Sequence, residues 1–194
     1  SHLMSGIPNN FPDDYSEALN YIRRGRAYKA AFQAKERFWE KENIYGGITW
    51  VNAPIQQIWY PPHNIHGKKG VVLAAYNFGG ANYTEMSQQD RIEDLLKHGE
   101  KVHPNYREMA QKPMTIAWHR MNHMLGCAPR WARNRGGWSD KEEQMYETLR
   151  QPVNGRHYLI GDQSTQHSAW MESAIQSAHY ALADLDQRVR AEPA

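Results

Sequence analysis

The spacing of the glycines constrains this chain more than any other feature of its sequence. The 194 residues include 14 glycines, and no two of them are separated by a single residue. A Rossmann-type dinucleotide site needs the pattern G-x-G-x-x-G, because its glycines permit a tight turn and let the backbone approach a pyrophosphate. The chain therefore cannot build such a site by itself.

Composition and charge exclude further classes of protein. Hydrophobic residues make up 40% and charged residues 23% of the chain, which is typical of a globular protein rather than a disordered or fibrous one. The 23 basic and 21 acidic residues leave a net charge of +2, so we predict no nucleic acid among the partners. No apolar run approaches the roughly 20 residues that cross a bilayer, so we predict no membrane partner.

The cysteine content and the first residues lead to two smaller expectations. Cys127 is the single cysteine, which excludes an internal disulfide and a zinc cage built from cysteines. A chain without disulfides suits a reducing compartment, so we expect a cytoplasmic location. Residues 1–4 are typical of a tag and cloning remnant that carries no information about the fold.

Hydrophobic periodicity and turn residues predict helices and strands along the whole chain. Residues 27–35 fit either a strand or a helix, and the aromatic residues and glycine around them favour a strand. The run 70–78 is almost entirely apolar and bounded by glycines, which predicts a buried strand. Ser87 is the predicted N-cap of a helix. The predicted helices cover 13–22, 87–98, 139–149 and 169–190, and the predicted strands cover 27–35, 48–51, 56–60, 70–78, 113–118 and 156–160.

The last predicted unit is a strand at 156–160, a turn at Gly161 and a helix at 169–190. Such a unit directs free backbone N–H groups and the positive end of a helix dipole toward one point. That point suits the phosphates or electron-rich atoms of a cofactor. An ordinary strand–helix unit of a sheet is the alternative.

The segment 157–178, with the sequence HYLIGDQSTQHSAWMESAIQSA, resembles the carboxy-terminal motif of the FAD-dependent amine oxidase family. That family includes monoamine oxidases, L-amino acid oxidases and amino-acid 2-monooxygenases. Its pattern is an apolar strand, Ala-Gly-Glu, a variable loop and then Gly-Trp-x-Glu-Gly-Ala-x-x-Ser-Gly. This chain departs from the pattern at Asp162, which replaces the glutamate, and at Ala169, Ser173 and Ala178, which replace glycines. The segments 25–39, 57–61 and 70–76 and Trp118 follow the family in the same order, so the resemblance covers about residues 7–190.

The resemblance implies an α+β fold and a division of the chain into two parts. Residues 5–150 would form part of a substrate-binding domain with a mixed sheet and helices. Residues 151–194 would form a strand–helix unit that completes an FAD-binding domain. The resemblance is to the second half of such an enzyme, and the other half would carry the glycine fingerprint that this sequence lacks. The implied partner is an N-terminal FAD-binding chain of the same oxidase, in a hetero-oligomer.

The implied function is that of a flavin-dependent L-amino acid oxidase. In the family, FAD takes a hydride from the carbon that bears an amine, and water hydrolyses the resulting imine. Oxygen then accepts the electrons, with release of hydrogen peroxide, or with decarboxylation of the substrate to an amide in the 2-monooxygenases. The implied substrate is a small molecule, either an amino acid or an amine. The alternative is a non-catalytic ligand-binding or regulatory remnant of the family.

Five residues receive catalytic or substrate-binding roles from the resemblance. Lys29 resembles the catalytic lysine that holds a water against the flavin N5 atom, with a surface lysine at a strand edge as the alternative. Trp170 resembles the catalytic aromatic wall beside the substrate, and Ala169 would offer its carbonyl to the amine. Tyr76 would bind the α-carboxylate, or is a half-buried strand residue. Trp118 would line the site, or simply packs.

The cofactor-binding residues follow from the same resemblance. Asp162 would accept a hydrogen bond from the ribityl chain of FAD. Met171 would donate its N–H group to the pyrimidine edge of the flavin at the positive end of the helix. Cys127 lies in a Trp-x(7)-Gly-Cys stretch like that of monoamine oxidases, where the cysteine is bonded to FAD; a small buried hydrophobe is the alternative. The complete predicted set is Gly161, Asp162, Trp170, Met171, Glu172, Ile175 and Cys127.

No metal site is predicted. His119 and His123 are four residues apart, but they fall in a predicted strand-to-loop region, where that spacing does not bring two side chains together. The H-E-x-x-H motif is also absent.

Overall fold

The computed structural model describes residues 7–79, 81–131 and 138–191. The chain divides into two compact units. We call residues 26–127 the sheet unit, and we call the unit made of Ser1–Gly25 and Ala128–Ala194 the terminal unit. The elements in chain order are α1 (Asp13–Tyr21), β1 (Arg23–Arg24), β2 (Ala27–Ala34), β3 (Ile48–Trp50), β4 (Gln57–Trp59), β5 (Gly70–Phe78), α2 (Ala81–Glu85), α3 (Gln88–Glu100), α4 (Tyr106–Met109), β6 (Ala110–Ala117), β7 (Pro129–Arg130), α5 (Asp140–Arg150) and α6 (Met171–Ala191).

Most of the predicted elements are confirmed, with ends that differ by a few residues. The ambiguous segment 27–35 is a strand, and the strand predicted at 70–78 is β5. The prediction that this strand is buried holds for one of its faces only, since Val71 is 47% and Phe78 43% exposed. The predicted cap is also confirmed, because the side chain of Ser87 accepts a hydrogen bond from the backbone N–H of Asp90. These signals are local, which is why the sequence shows them.

The predicted strand at 156–160 is wrong. Within the described residues this segment forms one isolated bridge, between Val153 and His157, and no strand. A strand requires a neighbour that satisfies its N–H and C=O groups along its length. The described parts of the chain do not place such a neighbour beside residues 158–160.

The sheet of the sheet unit has five strands in the order β3-β4-β5-β2-β6, and each described pairing in it is antiparallel. The prediction of a mixed sheet is therefore wrong, although the α+β class is confirmed. A parallel pair requires a crossover connection of a dozen or more residues, usually helical. Here β3 and β4 are joined by a short turn, and β2 runs antiparallel to both of its neighbours.

The two faces of β2 have different environments. Tyr28, Phe32 and the alanines beside them are buried in the core of the unit, whereas Lys29 and Gln33 on the opposite face are half-buried. Tyr28 stacks on Tyr83 with ring centroids 4.8 Å apart. We call the face that carries Lys29 the open face of the sheet.

The core of the terminal unit lies between α1 and α5. Leu19 and Leu149 are buried in it together with Trp131. The helix α5 begins with a capping box, in which Ser139 accepts from the N–H of Glu142 and the Glu142 carboxylate accepts from the N–H of Ser139.

The apolar side chains along one side of α6 are only partly buried. Leu182 and Val189 on this helix are each more than 60% exposed among the described residues. Large apolar side chains at that exposure on one helix are typical of a surface that another element covers. Among the described helices, none is both long and apolar enough to cross a membrane.

Candidate active site

Lys29 and Tyr76 are brought together by the register of two neighbouring strands. They lie directly opposite each other on β2 and β5, and the Lys29 Nζ atom is 4.3 Å from the centroid of the Tyr76 ring. This is a cation–π contact. The alternative of a lysine at a strand edge is wrong, because β2 lies between β5 and β6 and Lys29 is half-buried.

Tyr76 belongs to a group of aromatic rings on the open face. Its centroid is 4.4 Å from that of Phe78 and 5.9 Å from that of Trp59. The indole Nε1 of Trp59 donates to Gln57 Oε1 at 2.7 Å, so the polar edge of this ring has a partner and its faces are apolar. We call Trp59, Tyr76 and Phe78 the aromatic patch.

The phenol of Tyr76 keeps its proton at neutral pH. Burial raises its pKa above the usual value near 10, with a smaller contribution from the nearby Cys127. A group whose pKa is raised stays protonated over the whole neutral range. Tyr76 is therefore a hydrogen-bond donor that suits a carboxylate.

Sequence reasoning assigned no role to Trp59 or Phe78. The aromatic residues at positions 76 and 78 alternate along a strand, which was the available signal that both rings share a face. The position of Trp59 beside them depends on the pairing of β4 with β5 at Leu73. That pairing has no local signal in the sequence.

Trp118 and Cys127 lie in the sheet unit beyond the end of β6. Trp118 begins a short 3₁₀ turn directly after β6 and is half-buried. Cys127 is a free, half-buried thiol. The predicted covalent link from Cys127 to FAD and the predicted lining role of Trp118 stay predictions.

The loop before α6 is held by hydrogen bonds within the terminal unit. The N–H of Gly161 donates to Ser177 Oγ at 2.8 Å, and the N–H of Ala169 donates to Asp162 Oδ2 at 2.8 Å. Gly161 has φ +122°, where a Cβ would lie 3.1 Å from Gln163 Nε2. The turn at position 161 therefore requires glycine.

Ala169 adopts the left-handed conformation, with φ +72°. The family motif usually has glycine at this position, and glycine enters that region without steric cost. An alanine there is strained, because its Cβ crowds the following carbonyl. The structure thus gives a physical reason for the glycine of the motif.

Replacing Ala169 with glycine is expected to stabilise the chain by about 1 kcal/mol, because the steric cost of an L side chain at positive φ disappears. The measurement is the free energy of unfolding in urea. Ala174→Gly, within α6, is the matched control and should destabilise by about 1 kcal/mol. Equal effects of the two changes would contradict the role of the backbone conformation.

The N-terminal end of α6 is accessible. The side chain of Trp170 is 69% exposed and that of Met171 is 86% exposed, and Glu172 and Ile175 are also exposed. The N–H groups of the first helical turn have no partner within a helix. Together with the positive dipole end of a 21-residue helix, they form a donor set that fits an electron-rich heterocycle.

The histidines of the sheet unit do not assemble a metal site within the described residues. Residues 7–79, 81–131 and 138–191 contain no group of three His, Cys, Asp or Glu side chains that could hold an ion. His119 lies in the 3₁₀ turn after β6, and His123 has φ +66°. The two residues therefore do not share a helix face.

The sequence matches the family model for flavin containing amine oxidoreductases over residues 4–185. This chain belongs to that family. FAD, the predicted cofactor, is the cofactor of the family. The fold agrees with that of a putrescine oxidase redesigned at its cofactor site, with a TM-score of 0.73, 17% identity, and coverage of 92% of this chain and 39% of the oxidase.

Two relatives are considerably longer than this chain. The flavin-dependent L-tryptophan oxidase RebO of Lentzea aerocolonigenes is 27% identical over 85% of this chain and 35% of its own length. The putative L-amino-acid oxidase YobN of Bacillus subtilis (strain 168) is 29% identical over 82% of this chain and 32% of its own length. The chain therefore spans about a third of the length of these relatives.

Proposed function

We propose that this chain is the substrate-binding part of an FAD-dependent L-amino acid oxidase, active together with an N-terminal FAD-binding chain. The observation that carries the proposal is the contact of Lys29 with Tyr76 on the open face of the sheet, 4.3 Å from ammonium to ring. A cation and a protonated phenol side by side suit a substrate with a carboxylate. This favours amino acids over simple amines.

The terminal unit supplies the residues that would hold the cofactor. Gly161 and Asp162 lie at the turn before the loop, and the N–H of Met171 lies at the start of α6, with Glu172 and Ile175 on its first turns. When bound, FAD accepts a hydride from the carbon that bears the amine. The residues of the chain orient the substrate and exclude water around that carbon.

Each substrate-facing group has a separate task in this proposal. The Tyr76 hydroxyl donates to the α-carboxylate, and the Ala169 carbonyl accepts from the amine. The Lys29 ammonium holds a water and stabilises negative charge during oxygen reduction. Trp170 forms an aromatic wall, and the aromatic patch with Trp59 provides an apolar surface that keeps water out.

The proposed partner chain is supported by two features of the terminal unit. Residues 158–160 lack a neighbouring strand in the described parts of the chain, and the apolar side chains of α6 are exposed. An added strand and an apolar surface from an FAD-binding domain would satisfy both. The absence of a glycine fingerprint from this sequence supports the same assignment.

Co-purification with candidate N-terminal chains tests the proposal. We expect the complex to show flavin absorbance and to release peroxide from L-amino acids, whereas this chain alone should show neither. Acid precipitation of the complex distinguishes the two forms of attachment: colour left in the supernatant means non-covalent FAD, and colour in the pellet means a bond to Cys127. A stable complex without flavin absorbance would favour the non-catalytic remnant.

A further inference from the structure

We propose that Asp162 is a positioning residue, which holds Ala169 in its left-handed conformation and thereby sets the position of Trp170. The roles of Ala169 and Trp170 toward a substrate rest on the proposed function. The positioning itself does not, because it is a property of the loop within the terminal unit.

The first step of the argument is the direction of the Asp162 carboxylate. Its Oδ2 atom accepts the N–H of Ala169 at 2.8 Å, so the carboxylate turns back onto its own loop. Its backbone is anchored as well, because the Thr165 hydroxyl donates to the Asp162 carbonyl at 2.8 Å. Hydrogen bonds to a carboxylate are stronger than neutral ones.

The second step is the anchoring of the turn on which Asp162 stands. The N–H of the preceding Gly161 donates to Ser177 Oγ at 2.8 Å, and this hydroxyl donates to the Ala174 carbonyl at 2.7 Å. Both acceptors belong to α6. The carboxylate of Asp162 therefore has a fixed position relative to the first turns of the helix.

The third step is the strain at Ala169. With φ +72°, this alanine would relax to negative φ if nothing opposed the change. The Ala169 side chain is exposed, so packing contributes little to holding it. The hydrogen bond to Asp162 is the interaction that holds its N–H group.

The fourth step connects this conformation to the site. Rotation about the Ala169 backbone moves its carbonyl and the Trp170 side chain together, because they follow directly in the chain. An aspartate is one methylene shorter than the glutamate of the family motif. The glycine of the family motif adopts positive φ without steric cost. In this chain the hydrogen bond to the Asp162 carboxylate holds Ala169 in that conformation instead.

A double-mutant cycle on the full 194-residue chain tests the positioning without any cofactor. Asp162→Ala should accelerate hydrogen exchange of the Ala169 amide about 10- to 100-fold. It should also shift or broaden the ¹⁹F resonance of Trp170 in chain labelled with 5-fluorotryptophan, assigned with Trp170→Phe. Adding Ala169→Gly should move the resonance part of the way back, because glycine populates positive φ without steric cost even when no hydrogen bond holds it.

The matched control is Asp186→Ala, which removes a carboxylate that pairs with Arg190 on the same helix and should change neither signal. An unchanged Ala169 amide and Trp170 resonance in Asp162→Ala would overturn the proposal. So would a double variant that behaves like Asp162→Ala alone, because then the strain at Ala169 is not what the carboxylate opposes.

The complete oxidase gives a second readout. Asp162→Ala should raise KM for amino acids about 10-fold, a larger change than any in kcat, and adding Ala169→Gly should reverse most of that increase. An increase in KM that Ala169→Gly does not reverse would mean that Asp162 acts through the cofactor alone, and would overturn the positioning role. A complex that oxidises no amino acid would refute the proposed function but not the result of the cycle.

Discussion

Replacing Lys29 with methionine is expected to slow flavin reoxidation by oxygen about 100-fold or more, while FAD stays bound. The physical reason is electrostatic: a half-buried ammonium stabilises the negative charge that develops during oxygen reduction, and such groups contribute about 10² to 10³ in rate. Methionine keeps the length and most of the volume of the side chain. The measurement is stopped-flow reoxidation of the reduced complex.

Lys35→Met is the control for this change. Lys35 lies just beyond the same strand but is exposed, so its replacement should leave reoxidation unchanged. Lys29→Met itself should lower the free energy of unfolding by only about 0.5–1 kcal/mol, because it removes the cation–π contact with Tyr76. Normal reoxidation in Lys29→Met would remove Lys29 from the catalytic residues, even if amino acid oxidation by the complex is confirmed.

Phe32→Ala is expected to produce the largest loss of stability, about 3–5 kcal/mol. Phe32 is 2% exposed, and its ring lies edge-on to Tyr106 with centroids 6.1 Å apart. The truncation leaves a cavity beneath β2, the strand that also carries Lys29. The measurement is the free energy of unfolding in urea.

Val71→Ala is the control for Phe32→Ala. Val71 lies on the neighbouring strand opposite Gln33 and is 47% exposed, so its truncation should change stability by no more than about 0.5 kcal/mol. A similar small effect of Phe32→Ala would contradict the description of this core. It would mean that neighbouring side chains relax to fill the cavity left by the phenyl ring.

The elements that the sequence predicted well are those with local signals. Ser87 caps a helix through its own side chain, and the largely apolar run of β5 lies between glycines, so neighbouring residues determined both. The family motif was local in the same sense, because Gly161, Asp162 and Trp170 lie within ten consecutive residues. Roles could therefore be proposed for these residues before their geometry was known.

The errors have the opposite cause. The segment 156–160 has the composition of a strand, but a strand forms only beside a partner, and partners are remote in sequence. The prediction of a mixed sheet failed for the same reason, since strand direction depends on which strands pair. Trp59 was missed because only the pairing of β4 with β5 places it beside Tyr76.

The sequence by itself determined the family, the cofactor and the presence of most helices and strands. These features depend on residue types and on short spacings, which can be read from a few consecutive residues. Only the tertiary structure decided that Lys29 lies over Tyr76 and that Asp162 holds a strained Ala169. Register and backbone conformation decide such contacts, and both result from the summed packing and hydrogen bonding of residues distant in the chain.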